Sequence, residues 1–388
     1  MKVFYICDTD LGLENASVVH IMEVVNNLNE LNCDVTLFTP RMREYHQKTS
    51  VGIKYLKIIN KPVLWVVSYE ITLFFSLFYF ILKEKPDVIY VRQSDSILSP
   101  FLVSNLLRVP IVIENNGDLE KEARLQGCSI LRIKGLNIIE KICYRIASKI
   151  ITITPMIKKT ISTKYNINPH KIIVIHNGVN TILFKPLNLN KVRVEQRLSD
   201  DSYYVGYIGN LAVWQGVEYL IKSLPYVLKK NPKVKCLIVG DGIEKSKLEI
   251  LTKQLKLEKN IIFMGNIPYY IIPKYINAFD ICVAPFIKAR SGGTSPLKLY
   301  EYLSCGKPVI ASNIRGVSDL LKDLVVIFKP EDEKDLAAKV IKLIESPGLR
   351  KQLGEQGRSF VLRGHSWKDV AYKISKILQE AIKNGKSI

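Results

Sequence analysis

The chain has 388 residues, is 47% hydrophobic and 24% charged, and carries a formal net charge of +20. That length exceeds what one core commonly serves, and that apolar content excludes a disordered chain, so two folded domains are expected. The positive charge favours an anionic surface or a phosphorylated substrate, while the lack of a basic stripe interleaved with aromatics argues against nucleic acid.

The opening MKVFYICDTD is an apolar strand without the cationic start and cleavage site of a secretion signal, which points to the cytoplasm. The seven cysteines contain no C-x-x-C pair and read as reduced thiols, neither a zinc site nor a disulfide frame. After a loop with Gly12, the helical spacing of Val18, Ile21, Met22, Val25 and Leu28 predicts a helix from about Ala16 to Leu31. DVTLFTP is a second strand.

The next element, Val63 to Leu82, is long and apolar enough to span a bilayer. It contains Glu70, a costly residue at mid-membrane. Strands at Val3–Cys7 and Val35–Phe38 precede it and one at Val88–Val91 follows; if these share a sheet, the chain cannot cross a bilayer between them. A partly buried helix with its outer face on lipid is the expectation.

KPDVIYVR, VPIVIEN, SKIITITP and KIIVIHNGV continue the series. Near-continuous Val and Ile separated by helices predicts a parallel sheet covered on both faces, a doubly wound domain over residues 1–186. LNLNKVRVEQRLSDDS reads as a polar linker into a second domain, residues 187–365, with strands in YYVGYIGN, KCLIVGDG, NIIFMGN, DICVAPF, KPVIAS and LVVIFKP. Residues 366–388 form an amphipathic helix with Val370, Ile374, Ile377, Leu378 and Ala381 on one face, expected to return to the first domain. The fold class is therefore α/β, two Rossmann-like doubly wound domains facing across a cleft.

RSGGTSPLKLYEYLSCGKPVIAS follows the strand DICVAPF, at the sheet end where ligands bind in open α/β folds. Ser295 suits an N-cap, Pro296 the first helical position with Leu297 after it, and Gly306 the stop. Free N–H groups there make an anion site, and Gly292 and Gly293 permit close approach. Lys298 and Glu301, three apart on one face, would suit a phosphate and a ribose hydroxyl; an ordinary capped helix with a surface ion pair fits the same spacing.

SPLKLYEYLSCGKPVIAS resembles the donor-site signature of the retaining glycosyltransferases of family 4, which have the GT-B fold. KIIVIHNGVNTILFKP, VGYIGNLAVWQGVEYLI, CLIVGDG, IIFMGNIP and the Ser366–Trp367 pair also resemble that family, in order along nearly the whole chain. The resemblance implies that Glu301 binds the ribose. It places Gly293 where the family has a first glutamate, so sugar recognition would fall to backbone groups of Gly293 and Thr294. Asn210 and Gln215, with Gly216 beside them, stand where the family carries phosphate-binding Arg and Lys; Arg290 and Lys298 are the substitutes expected. Gly240 and Gly242 resemble the turn beside the base. In the N-terminal domain only Gly12 remains of a Gly-Gly loop, and Asn116 replaces a histidine; Asn116 and Asp118 are expected to face the acceptor.

The same resemblance implies a metal-independent, retaining hexosyltransferase, without cofactor, using a UDP- or GDP-sugar and a glycan or polyisoprenyl-linked acceptor. It would lie peripherally on the inner face of the cell membrane, drawn to the anionic surface. Two alternatives remain open on sequence: a nucleotide-sugar epimerase of GT-B fold, and a non-catalytic binding protein, which the missing charges at Gly293, Asn210 and Gln215 would suit.

Overall fold

The structure, a computed structural model, describes all residues except 14, 44, 46–48, 62, 63, 95, 96, 126, 294 and 386–388. The chain divides into two compact units, Met1–Asn177 with Trp367–Ile388, and Gly178–Ser366.

The first unit is built on a parallel sheet of β1 (Lys2–Ile6), β2 (Asp34–Pro40), β3 (Gly52–Leu56), β4 (Val88–Arg92), β5 (Ile111–Asn115), β6 (Lys149–Thr152) and β7 (Ile172–Val174). Their spatial order is β3-β2-β1-β4-β5-β6-β7. Strand order reverses beside β1, whose Val3 is aligned with Val35 of β2 on one side and Val88 of β4 on the other. Burial of these Val and Ile runs on both faces is what a parallel sheet requires. The sequence reading missed β3: GIKYL is short, lies at the sheet edge and is only half-buried apart from Leu56, so it lacks the apolar run that marks the others. The helix Trp367–Gly385 belongs to this unit and buries Val370, Ile374, Ile377, Leu378 and Ala381. Trp367 meets His20 of the Ala16–Glu30 helix edge to face, at 5.0 Å between centroids.

The long apolar helix runs from Leu64 to Glu84; Val63 lies outside the described residues. By length and composition it could cross a membrane. However, it connects β3 to β4 within one sheet, so the chain does not traverse a bilayer there. Tyr69, Leu73, Leu77 and Ile81, four apart, form its buried stripe. Glu70 caps the Ser99–Leu107 helix: Oε2 accepts from the N–H of Leu98 at 3.1 Å and of Ser99 at 2.8 Å, and from Ser99 Oγ at 2.7 Å.

The second unit carries β8 (Tyr203–Ile208), β9 (Val234–Val239), β10 (Ile261–Gly265), β11 (Ile281–Ala284), β12 (Val309–Ser312) and β13 (Val326–Phe328), all parallel, in the order β10-β9-β8-β11-β12-β13. It begins before the Pro186 boundary of the sequence reading, because Val179 bridges to Ser366 and Phe184 is fully buried in its core. The stretch read as a linker contains the helix Leu189–Glu195. Its Arg193 is buried and ion-paired with Asp280 at 2.6 Å, so a residue that looks solvated in sequence ties this segment to the unit.

Glu114, at the end of β5, is 2% exposed. Its Oε2 accepts from the Tyr90 hydroxyl at 2.7 Å and its Oε1 lies 2.6 Å from His20 Nε2. Burial alone would raise this carboxyl, but His20, Arg92 and the Tyr90 hydroxyl outweigh it and hold the pKa at about 2, against an ordinary 4.5. A depressed carboxyl stabilises the fold above its unfolded pKa and loses that contribution as pH falls through the folded value. Of the stability lost between pH 4.5 and about 2 in chemical denaturation, Glu114 should account for about 3 kcal/mol. Glu114→Gln, less stable at neutral pH, should show a shallower decline over the same interval; an unchanged slope would remove Glu114 from the account.

Candidate functional site

In the second unit the order reversal falls between β8 and β11, and the chemistry-bearing residues gather at the carboxyl ends of these strands. The helix after β11 runs Leu297–Ser304. Pro296 occupies its N-cap position, one place later than expected, and has no side-chain group to cap the first turn. Ser295 does not cap: it is buried, with Oγ 3.1 Å from the Tyr300 hydroxyl. The loop before it is pinned where the Gly292 N–H donates to the Arg315 carbonyl at 2.8 Å. Gly293 is half-buried in that loop, and Thr294 lies outside the described residues.

Lys298 projects from this helix toward β8. Its Nζ donates to the Tyr207 hydroxyl at 2.9 Å and to Gln215 Oε1 at 3.0 Å, and sits 4.0 Å from the Tyr207 ring centroid. Gly209 makes this position possible: a Cβ there would lie 2.6 Å from Nζ, and φ is +138°. The Arg290 guanidinium stacks 4.9 Å from the Phe286 ring, whose centroid is also 5.6 Å from Lys298 Nζ. Burial, then Arg290, push the Lys298 pKa well below its ordinary value, and the Glu301 charge works the other way. Glu301 is buried one turn on. Lys298 is held by a neutral hydroxyl and a neutral amide oxygen and has a second cation nearby, which makes a place suited to an added anion.

The glycine turns assemble around the same strand end. Gly240 is packed under the Gly209 carbonyl, the Asn210 side chain lies over Gly242, and Gly216 opposes the Pro285 carbonyl. Asn210 is otherwise exposed, while Gln215 is buried and spent on Lys298. The sequence reading missed Tyr207 and Phe286, which look like core residues of their strands; a hydroxyl in an apolar strand was the available signal for Tyr207.

In the first unit a cavity of about 600 Å³ opens at the ends of β1, β4 and β5. Asp8, Thr9, Arg92, Gln93, Asn115 and Asn116 are among the residues lining it. Both polar atoms of the Asn116 amide are buried without a hydrogen-bond partner. Asp118 is absent from the lining because it is spent as a helix cap, its Oδ1 accepting from the Lys121 N–H at 3.0 Å. Gly12 also lies outside the lining: its N–H donates to Asp10 Oδ1 at 3.1 Å, and it packs on Arg43. Glu120 belongs to an ion-pair cluster with Lys164 and Arg124. Asp8 and Arg92 were not foreseen, being polar residues just at or past the ends of apolar strands.

Two parallel-sheet α/β units with these topologies define the GT-B class of glycosyltransferase folds. A family model described as Glycosyltransferase Family 4 matches residues 17–182, and one described as Glycosyl transferases group 1 matches residues 190–360. The chain belongs to the group 1, family 4 glycosyltransferases. It is similar to the uncharacterized glycosyltransferase MJ1607 of Methanocaldococcus jannaschii, 24% identical over 256 residues, and spans 64% of that relative with 64% of its own length. It is also 24% identical over 399 residues to the capsular polysaccharide biosynthesis glycosyltransferase CapM of Staphylococcus aureus, covering 95% of this chain and 99% of that one. The structure of Anabaena HepE in complex with UDP-glucose matches it with a TM-score of 0.79 at 17% identity, over 98% of this chain and 100% of that one.

Charge-assisted contacts to phosphate are worth more than neutral ones, so Lys298→Ala should weaken a nucleoside diphosphate by roughly ten- to hundredfold and the parent nucleoside much less. Because Lys298 is depressed in the ligand-free protein and an adjacent diphosphate favours its charged form, binding should take up protons and weaken as pH rises. Calorimetry in buffers of different ionisation enthalpy reads both effects; equal weakening of both ligands places Lys298 away from the phosphates.

Proposed function

We propose that this protein transfers a sugar from a nucleotide-sugar to a glycan or lipid-linked acceptor with retention of anomeric configuration. The observation that carries the reading is the Lys298 ammonium, presented near Arg290 in the first turn of the Leu297–Ser304 helix. Fixed cations and backbone N–H groups aimed at a leaving diphosphate stabilise the charge that develops as the bond from the sugar's anomeric carbon breaks. The acceptor hydroxyl then bonds to that carbon from the same face and gives its proton to the departing phosphate oxygen, which yields the glycoside and the nucleoside diphosphate. The cations supply the charge that a metal supplies elsewhere, so no metal is required in this scheme. Glu301 receives the ribose hydroxyls, and Asn116 contributes an amide to the acceptor. The UDP-glucose in the HepE structure and the capsular role in CapM's name support a UDP-sugar and a polysaccharide product.

A thermal-shift screen of UDP- and GDP-sugars tests the donor. One series should stabilise the protein, and Glu301→Gln should lose most of that response while melting normally without ligand. Stabilisation by neither series overturns the donor assignment, and turnover of donor to an isomer without acceptor would favour the epimerase.

The work is done at an anionic membrane surface. Leu64, Val67, Ile71, Phe75, Tyr79 and Leu82 form an exposed stripe on the long helix, continued by Leu102 and Leu106 on the Ser99–Leu107 helix packed beside it. Exposed Lys61, Lys83, Lys85 and Arg108 flank these apolar side chains. Exposed apolar side chains on two packed helices, with exposed cations near their ends, match an anionic bilayer, where each lysine contributes about 1 kcal/mol. Flotation with liposomes should show binding that needs anionic lipid, falls with salt and is abolished by Phe75→Glu with Ile71→Glu. Protein left at the bottom of the gradient in every lipid mixture at low salt excludes the membrane role.

A further inference from the structure

The cavity of the first unit contains a charge that the fold leaves partly unanswered. Arg92 ends β4, and its Nη1 is buried without a hydrogen-bond acceptor. The Tyr5 hydroxyl lies against Arg92 and interacts with it, without a hydrogen bond of good geometry. Glu114, the carboxylate whose field Arg92 feels, is committed elsewhere, to His20 at 2.6 Å and to the Tyr90 hydroxyl at 2.7 Å. The remaining charged lining residues, Asp8, Glu122 and Arg132, each already interact with a neighbour. Arg92 therefore stands out in this lining as a cation without an ion pair among the described residues, and the Asn116 amide belongs to the same lining.

A cation held at a cavity wall without an ion pair is costly, and an anion entering the cavity would offset that cost. A neutral hydroxyl would satisfy one N–H. An oxyanion would satisfy it with charge as well, in the geometry a guanidinium is built for. We propose that Arg92 sets the specificity of this cavity and that the sugar unit entering it carries an oxyanion, either a carboxylate or a phosphate. This rests on reading the cavity as the acceptor site. The Asn116 amide, able to donate and accept, then serves the neutral hydroxyls of the same unit. Arg92 is a binding residue in this account, with no part in proton transfer.

The test uses the full chain and three probes: methyl glucoside, methyl glucuronide and glucose-6-phosphate. Ligand-observed NMR gives their affinities for the wild type, Arg92→Gln and Arg92→Lys, and UDP affinity is measured alongside. An acidic probe should bind the wild type about tenfold or more tightly than the glucoside. Arg92→Gln should erase that preference, and Arg92→Lys should keep part of it. The glucuronide and the hexose phosphate, compared with each other, identify the source of the anion. Equal affinity for neutral and acidic probes, no binding of either acidic probe, or a preference that survives in Arg92→Gln overturns the proposal. If Arg92→Gln fails to fold, the wild-type ranking and Arg92→Lys decide. Intact UDP binding with no acidic preference removes this inference alone, whereas failure of the wild type to bind any nucleotide removes the donor reading beneath it.

Discussion

Both units depend on one constraint, that every ladder in their sheets is parallel. Parallel neighbours cannot be joined by tight turns, so each connection must cross over a face of the sheet and cover it. The faces are thereby closed to ligands, and the strand ends remain. Where order reverses, beside β1 and again beside β8, successive crossovers leave in opposite directions and a crevice opens at the carboxyl ends. The cavity with Arg92 and Asn116 and the cluster around Lys298 occupy these two places, each within its own unit.

The cluster in the second unit shows how a charge can be supplied from a different position. Gln215 stands where the family resemblance led us to look for a cation, yet its amide oxygen holds the Lys298 ammonium at 3.0 Å. A neutral hydrogen-bond acceptor orients the lysine without neutralising it. A carboxylate in the same position would have paired with the cation and left less of its field for a phosphate. The aromatic faces of Tyr207 and Phe286 act in the same sense, as they attract the cations without contributing a full negative charge. The missing charges at Asn210 and Gln215 thus need not mean a disabled site.

The strand series was legible because short Val and Ile runs, alternating with helical stretches, suit a parallel sheet buried on both faces and little else. The family motifs then pointed to particular strand ends as candidate sites. What escaped reading depended on contacts between residues distant in sequence. Edge strand β3 starts at an exposed glycine and carries a lysine in its middle, so it resembles a loop. Arg193 looks like linker until Asp280 is brought to it. Asp118 and Ser295 were assigned by residue type near a strand end or helix start, where one caps a short helix and the other turns inward to Tyr300. Arg92 and Tyr207 sit in apolar strands, and their polar ends acquire meaning only once neighbouring strands are in register.

The long apolar helix answers two demands that its composition alone cannot separate. Residues four apart lie nearly above one another on a helix, so Tyr69, Leu73, Leu77 and Ile81 make one stripe and Val67, Ile71, Phe75 and Tyr79 another. The first is consumed by the sheet core. The second has the same apolar character and no covering element among the described residues, which makes uniform hydrophobicity the sum of two faces and no longer a membrane-span signal. Glu70 is compatible with both, because its carboxylate turns to the start of the Ser99–Leu107 helix and meets backbone N–H groups there. The charge that argued against a transmembrane helix is therefore the residue that fastens this helix to its neighbour, so the second stripe is held on a fixed two-helix face.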